Sequence, residues 1–526
     1  MRFWRRFADA RGGWIAALAL AAAPLARAEE PATLFIQEYR VEGAHRLARV
    51  AIEEAVYPFL GPGRTQDDVE QARAALEKAY RDAGYQTVTV QIPPQQVGDG
   101  IVHLQVVEGT VERLRVKGAR YFSPGAIKAG APSLAEGKLV DFNDVPHDIV
   151  ALNQNPDRRV TPTLSAGRAP GSVDVDLNVT DSFPLHASVE LNNRSSANTT
   201  SLRANASVTD NNLWQRGDSA GVSFQVAPQR SRDAKVFSGY YLSRALAAHD
   251  LTLMLQATKQ DSDVSTLGGA AVTGRGRSVG ARAILRLPDG KNFFQSVTLG
   301  ADYKRFEQTL RLAGTTQLAP IAYYPLSAAY TATLVGERTL TEFDASVTLH
   351  VRGLGSGPAK FDARRYQADG SFIYFRADAT QTRDLPHGWK LVAKAQGQAA
   401  SQPLLDSEQF SGGGLGTARG YLESEVVGDN AIFGSLELHT PSLARFIGAK
   451  LDEWRLYAFA DGGVLGIDEP LPQQAARFYL ASYGFGTRLR FDERFNGSLD
   501  AGVPLVNQAH TKAHDLRLTF RLWADF

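Results

Sequence analysis

The stretch Leu516-Arg-Leu-Thr-Phe-Arg-Leu-Trp-Ala-Asp-Phe526 decides the fold. Leu516, Leu518, Phe520, Leu522, Ala524 and Phe526 fall on one face of a two-residue period. Arg517, Thr519, Arg521, Trp523 and Asp525 fall on the other. Free termini are ordinarily polar and frayed. A chain that stops in mid-strand on an aromatic residue is expected to close something with that strand. By alternation alone, an ordinary terminal edge strand is the alternative.

Upstream, the same period recurs. In Ala345–Arg352, Ala345, Val347, Leu349 and Val351 oppose Ser346, Thr348, His350 and Arg352. In Ile432–His439, Leu436 and Leu438 oppose Ser435, Glu437 and His439. In Trp454–Asp461, Trp454, Leu456, Ala458 and Ala460 oppose Arg455, Tyr457, Phe459 and Asp461. A soluble sandwich also alternates. Large charged groups opposite a thin apolar face suit a wet lumen and a lipid exterior better. Leu287–Gly290 and Leu385–Gly388 read as tight turns, and Thr200–Arg203 and Leu312–Pro320 as longer, irregular connections. Residues 182–526 leave room for sixteen strands at roughly 21 residues per strand and connection. The same count admits fourteen or eighteen.

The N-terminus reads as an export signal. Arg2, Arg5, Arg6 and Arg11 precede an apolar run from Trp14 to Ala26, and Ala26-Arg27-Ala28 has the small-x-small cleavage pattern. Residues 1–28 are therefore expected to be a signal peptide, with a short buried helix as the alternative. The 57 Lys and Arg against 56 Asp and Glu leave no basic footprint for nucleic acid. With no cysteine there is no disulfide scaffold and no thiolate metal site. No later apolar stretch suits a transmembrane helix, so a membrane-spanning chain of this kind must be a β-barrel.

Residues 29–181 mix strands and helices. Leu34–Val41 reads as a strand and Ala48–Phe59 as a helix. Thr65 and Asp68 form a capping box for a second helix, with Val69, Ala72, Leu76 and Tyr80 inward and Gly84 as C-cap. Thr87–Ile92 and Ile101–Val107 read as strands. The order recurs with a strand over Val111–Val116, helical segments over Ser123–Ala131 and Asn143–Leu152, and strands over Val160–Leu164 and Val173–Val179. The expected architecture is an α+β tandem, residues 29–109 and 110–181, followed by an all-β barrel of antiparallel strands over 182–526.

Two short motifs carry a resemblance. Phe410-Ser-Gly-Gly-Gly-Leu-Gly-Thr-Ala-Arg-Gly-Tyr421 is glycine-rich and ends Arg419-Gly420-Tyr421, and Phe459-Ala-Asp461-Gly-Gly463 follows. Together, ahead of the terminal strand, they resemble the [VL]-R-G-[YF] loop and F-x-D-x-G strand of the bacterial outer-membrane insertase and transporter superfamily. The tandem units resemble its POTRA domains (polypeptide-transport-associated modules). Two such units point to the two-partner secretion transporters, the TpsB or ShlB/FhaC/HecB type. Leu177–Asn192 and Asp210–Asp218 look like that family's entry into the barrel. Ala418 stands where the family has Val or Leu. About six residues separate the expected cleavage site from the first strand, which leaves no room for the family's N-terminal plug helix.

The resemblance implies an outer-membrane transporter of a Gram-negative bacterium, with its POTRA domains in the periplasm. It would secrete an unfolded TpsA-type exoprotein through the barrel without nucleotide hydrolysis. Lipid and the barrel-assembly machinery are its other implied partners. An insertase for other barrels is the main alternative and a passive porin the third. Arg419 is expected at the tip of an in-folded loop near 410–425, latched by Asp461 on the inner wall beside Phe459, with Gly420, Tyr421 and Gly463 around it. A hydrated lumen is expected to soften that pair. In the first unit, Thr87, Val88, Thr89, Val90 and Gln91 form the candidate docking strand for the client. Phe520, Leu522, Trp523 and Phe526 look like the signal read during outer-membrane assembly. No catalysis and no cofactor are expected. His510 and His514 lack a metalloprotease Glu, Gly274-x-Gly276-x-x-x-Gly280 misses the dinucleotide spacing, and no Gly-x-Ser-x-Gly nucleophile elbow is expected.

Overall fold

The computed structural model describes residues 33–169, 171–246, 250–265, 272–288, 290–312, 315–446 and 451–526. The expected signal peptide, any plug segment before the first strand, and Asp289 of the Leu287–Gly290 turn lie outside the described residues. The chain divides after Gly109 into two compact units.

In the first unit, Leu34–Val41 is two strands rather than one. Leu34–Ile36 pairs with Gly61–Arg64, and Glu38–Glu42 runs parallel to Ile101–Val107. The chain changes sheets at Gln37, whose N–H bonds to the Gly100 carbonyl at 2.8 Å. The helix Gln66–Asp82 begins at the Thr65/Asp68 capping box and buries Val69, Ala72, Leu76 and Tyr80. The Thr65 backbone N–H and hydroxyl hold the Asp68 carboxyl below its usual range. The strand expected over Thr87–Ile92 shrinks to Thr89–Gln91. Thr87 stays in the preceding turn, and the Val88 N–H turns back to the Tyr85 carbonyl at 3.4 Å.

The second unit begins with an α+β module. Val111–Lys117 runs parallel to Val173–Asp181, which pairs on its other side with Arg158–Ala166. The helices Pro124–Ala129 and Val145–Leu152 cover that sheet. Leu114, Ile127, Leu134, Leu152, Val175 and Leu177 lie in one buried cluster.

Asp157, buried, ties this module to the first barrel strands. It accepts from His186 Nε2 at 2.7 Å, Asn211 Nδ2 at 2.8 Å and the Ser182 hydroxyl at 3.2 Å. Asn155 donates to the Asn211 carbonyl, and Asn212 to that of Tyr121.

From Leu185 to Asp525 the strands close into an antiparallel barrel of sixteen staves among the described residues. One stave is built from two strands. Thr315–Tyr323 and Leu326–Val335 pair with successive halves of the long strand Phe293–Leu312, and Tyr324-Pro325 separates them. The irregular connection expected over Leu312–Pro320 is therefore partly a hairpin beyond the wall. Its second strand has a ladder on one side only. On the other, Ala322 exchanges hydrogen bonds with Ser356, and Pro320, two residues earlier, turns its nitrogen to that same side, so it leaves no ladder bond unmade. The expected strand over Ala345–Arg352 ends at His350.

Side chains alternate as a lipid-facing wall requires. Leu253, Leu255, Val279, Leu299, Ile373, Phe375, Leu436 and Phe485 are exposed on the outer surface. Their neighbours in sequence point into the lumen, where Arg282 pairs with Asp302 at 2.8 Å. Among the described residues no helix is long and apolar enough to cross a membrane. Crossing falls to the strands.

The last strand, Arg517–Asp525, closes on the first, Leu185–Asn192, through the pairs from Arg521↔Asn192 to Asp525↔Ser188. Beyond them Asn193 continues the seam with its side chain. Its Nδ2 donates to the Leu518 carbonyl and its Oδ1 accepts from the Phe520 N–H, each at 2.8 Å. At the other end the Phe526 and Ala187 backbones exchange hydrogen bonds of 2.8 and 3.0 Å. Leu522 and Phe526 are exposed to the outside, and the Arg521 guanidinium lies over the Trp523 ring.

Candidate functional site

The segment 401–429, between the strands Lys390–Ala400 and Asn430–His439, folds into the barrel. Its root is clamped by two buried carboxylates. Asp429 accepts from the Leu404 N–H, Gln409 Nε2 and Arg365 Nη2 at 2.9 Å each. Glu408 accepts from Lys304 Nζ and the Tyr323 hydroxyl at 2.6 Å and from the Tyr374 hydroxyl at 2.8 Å.

The tip carries Arg419. Its Nε and Nη2 grip the two oxygens of Asp461 at 2.8 and 2.6 Å, and its own N–H adds a bond of 2.9 Å. Nη1 reaches Glu437 at 2.5 Å, and Nη2 reaches the Ser435 hydroxyl at 3.0 Å. The guanidinium lies 3.7 Å from the centre of the Phe459 ring. A planar, five-donor cation suits this fork-and-face arrangement, and lysine could not reproduce it. Register explains the convergence. Ser435 is opposite Asp461 and Glu437 opposite Phe459, so all four side chains share one lumenal face. Asp500, on the strand Phe495–Pro504, adds a third carboxylate 3.8 Å away.

The expectation of a hydrated pair is overturned. Arg419 is 6% exposed and the Asp461 side chain 1%. The loop itself and Phe459 exclude the water.

Gly420 has φ +92°, and its backbone lies against Gly502. A Cβ at Gly502 would meet the Gly420 nitrogen at 2.7 Å and its Cα at 2.9 Å. Glycine on both sides lets the loop touch the wall. Gly463 serves differently. It makes room for Phe433, whose ring stacks on Phe410 at the loop base with centroids 5.6 Å apart. Ala418, fully buried, joins the same cluster. The Tyr421 hydroxyl lies 3.0 and 2.9 Å from the Ala481 and Val506 carbonyls.

The predicted Arg419, Gly420, Tyr421, Phe459, Asp461 and Gly463 thus meet at one place. Arg455 shares their strand face but bonds to the Thr440 carbonyl, away from the loop. Sequence reasoning missed Glu437, Ser435 and Asp500 as partners, and also Glu423 and Glu425. Glu423 pairs with Arg194 at 2.7 Å, just after the first strand. Glu425 accepts from the His510 N–H at 2.9 Å and the Thr511 hydroxyl at 2.7 Å, just before the last. The docking residues Thr87–Gln91 lie in the other unit, where Thr89–Gln91 is an edge strand. Its Val90 carbonyl accepts from Arg73 at 3.3 Å.

The sequence does contain two Gly-x-Ser-x-Gly pentapeptides, Gly217–Gly221 and Gly276–Gly280. Ser219 and Ser278 lie within antiparallel barrel strands, with no strand-to-helix elbow. Among the described residues there is no His, Asp or Glu cluster fit to hold a metal.

A sixteen-stave barrel with a lipid-facing exterior, an in-folded loop held by an arginine, and an α+β module ahead of it define an outer-membrane β-barrel protein. Residues 34–109 match the POTRA domain of ShlB type, and residues 171–489 match the haemolysin secretion/activation protein ShlB/FhaC/HecB model. The chain belongs to the ShlB/FhaC/HecB family, the TpsB-type outer-membrane transporters. It is 25% identical over 484 residues to the outer membrane transporter CdiB of Escherichia coli, covering 89% of this chain and 78% of that protein. The solved CdiB structure from Escherichia coli superposes with a TM-score of 0.69 at 20% identity, covering 96% of this chain and 93% of that one. BamA from Haemophilus ducreyi lacking POTRA domains 1–3 shares the fold, with a TM-score of 0.57 at 15% identity over 93% of this chain and all of that one. The protein is a transporter, not an enzyme. It resides in the outer membrane, with its POTRA region in the periplasm.

Proposed function

We propose that this transporter recognises an unfolded TpsA-type exoprotein with two POTRA modules, residues 29–109 and 110–181. The client then passes through the 182–526 barrel without nucleotide hydrolysis. The Arg419–Asp461 pair acts as a latch that holds the loop in its productive position. The observation that carries this reading is the one-sidedness of the loop tip. Among the described residues, hydrogen bonds from 411–425 to the rest of the chain fall on Lys390–Ala400, on later strands and their connections, and on Arg194 and Ser195. Among the described residues no hydrogen bond joins 411–425 to residues 203–384, whose lumenal face presents polar pairs such as Arg282–Asp302 and Thr331–Asp344.

Docking begins on the edge strand Thr89–Gln91, by main-chain pairing that tolerates any client side chain. Arg73, now on the Val90 carbonyl, yields to the incoming strand. Folding of the client outside the cell supplies the drive. Phe520, Leu522 and Phe526 on the outward face, with Trp523 on the opposite one, belong to the terminal strand that the assembly machinery reads.

The test compares the exoproteome of cells with the gene, without it, and with Arg419→Ala. Deletion is expected to remove one large exported protein. Arg419→Ala is expected to reduce its export from a normally assembled barrel. An unchanged exoproteome with depleted outer-membrane barrels would assign the chain to barrel insertion instead.

A further inference from the structure

Three cations cross the outside of the barrel in one row. Lys259, Arg277 and Arg305 are backbone partners on adjacent strands, Leu251–Ser265, Val272–Arg286 and Phe293–Leu312. All three share the outward face with Leu253, Leu255, Val279 and Leu299, which are exposed and apolar. The row lies eight residues beyond Leu251 on its strand, towards the extracellular end. With tilted strands that is roughly 20 Å above the lowest apolar row, near the upper edge of an apolar band about 25 Å tall. Phe237, the partner of Lys259 on the next strand, extends the row with an exposed ring.

Like charges directly opposite one another across a sheet are unfavourable. The neighbouring row relieves them only in part. Asp261 pairs with Arg275 at 3.0 Å and Glu307 with Arg305 at 3.2 Å. Lys259 and Arg277 have no ion-pair partner among the described residues. A groove of about 390 Å³ runs between these side chains. The arrangement calls for a shared anion, held at the boundary between hydrocarbon and headgroups.

We propose that this groove binds the phosphate of an outer-leaflet lipid, with its acyl chains lying on Leu255, Val279 and Leu299 below. The inference rests on the outer-membrane location and is independent of the client and the loop latch.

The test is native mass spectrometry of the full-length protein in neutral detergent. It is titrated with bis-phosphorylated lipid A, with the dephosphorylated lipid, and with inorganic phosphate at equal phosphorus. Lipid A is expected to bind. Lys259→Gln is expected to weaken it roughly fivefold and Lys259→Gln with Arg277→Gln roughly 30-fold. Lys291→Gln, the same charge loss at the periplasmic end, is expected to leave binding unchanged. Heat-modifiable migration on a gel checks each barrel, and the single variant carries the test if the double one does not fold. Equal binding of the dephosphorylated lipid, displacement by inorganic phosphate, or full affinity in both Lys259 variants would overturn the proposal.

Discussion

Replacing Arg419 with alanine removes a bidentate ion pair, two further side-chain hydrogen bonds and a ring contact at once. Asp461 would then be left as a carboxylate with its side chain 1% exposed, facing Glu437 without the shared cation. Breaking a buried pair from one side costs about 3–5 kcal/mol. The burial seen here favours the full range rather than a solvent-screened fraction of it. At about 1.4 kcal/mol per decade, the released loop gains between roughly 10²-fold and a few thousand-fold in population. The chain contains no cysteine, so Thr417→Cys gives a single thiol at the loop tip, near-isosteric with a residue 8% exposed. Maleimide labelling of that thiol in folded, reconstituted barrels reads the released population. Arg419→Ala is expected to speed labelling at least roughly 100-fold. Arg419→Lys should fall between, since a point charge satisfies one oxygen at a time. Equal labelling rates in Arg419→Ala and its parent, with the barrel intact, would refute the argument that this pair holds the loop.

Gly502→Ala should mimic that release, because its Cβ would stand 2.7 Å from the Gly420 nitrogen, and the same labelling assay reads it. Asp157→Ala leaves the partners His186, Asn211 and Ser182 unsatisfied, at about 1–3 kcal/mol. Faster limited proteolysis within residues 110–181 is expected, with the barrel resistant. Glu112 accepts from the Ser172 hydroxyl and the Ala169 and Arg168 N–H groups, which lower its pKa from 4.5 to about 2. Its contribution is present above about pH 4.5 and is lost as pH falls through about 2. Hydrogen exchange at the Ala169 amide should therefore show protection that weakens across that window, and that Glu112→Ala removes at neutral pH.

What the sequence made legible was local. Alternation exposed the barrel wall because lipid outside and polar lumen inside impose a two-residue period on each strand separately. The capping box and the inward face of Gln66–Asp82 were legible for the same reason. Arg419 and Asp461 could be paired because each sits in a short motif. Glu437, Ser435 and Asp500 could not, because their meeting depends on inter-strand register, which no single strand encodes. Asn193 was hidden too, since it works by imitating a backbone across a seam formed by residues more than 300 positions apart. The shortened strand at Thr89 depended on a turn that consumed the Val88 N–H.

The two glutamates at the loop's descending arm join positions far apart in the chain. Glu423 reaches Arg194, 229 residues earlier, and Glu425 reaches Thr511, 86 residues later. Those partners flank the seam on either side. During synthesis and insertion the loop exists long before the final hairpin does, so it cannot be buckled until the barrel has both its ends. Fastening is then a late event, dominated by distant contacts and correspondingly slow. A barrel with its loop seated is one whose closure is already complete.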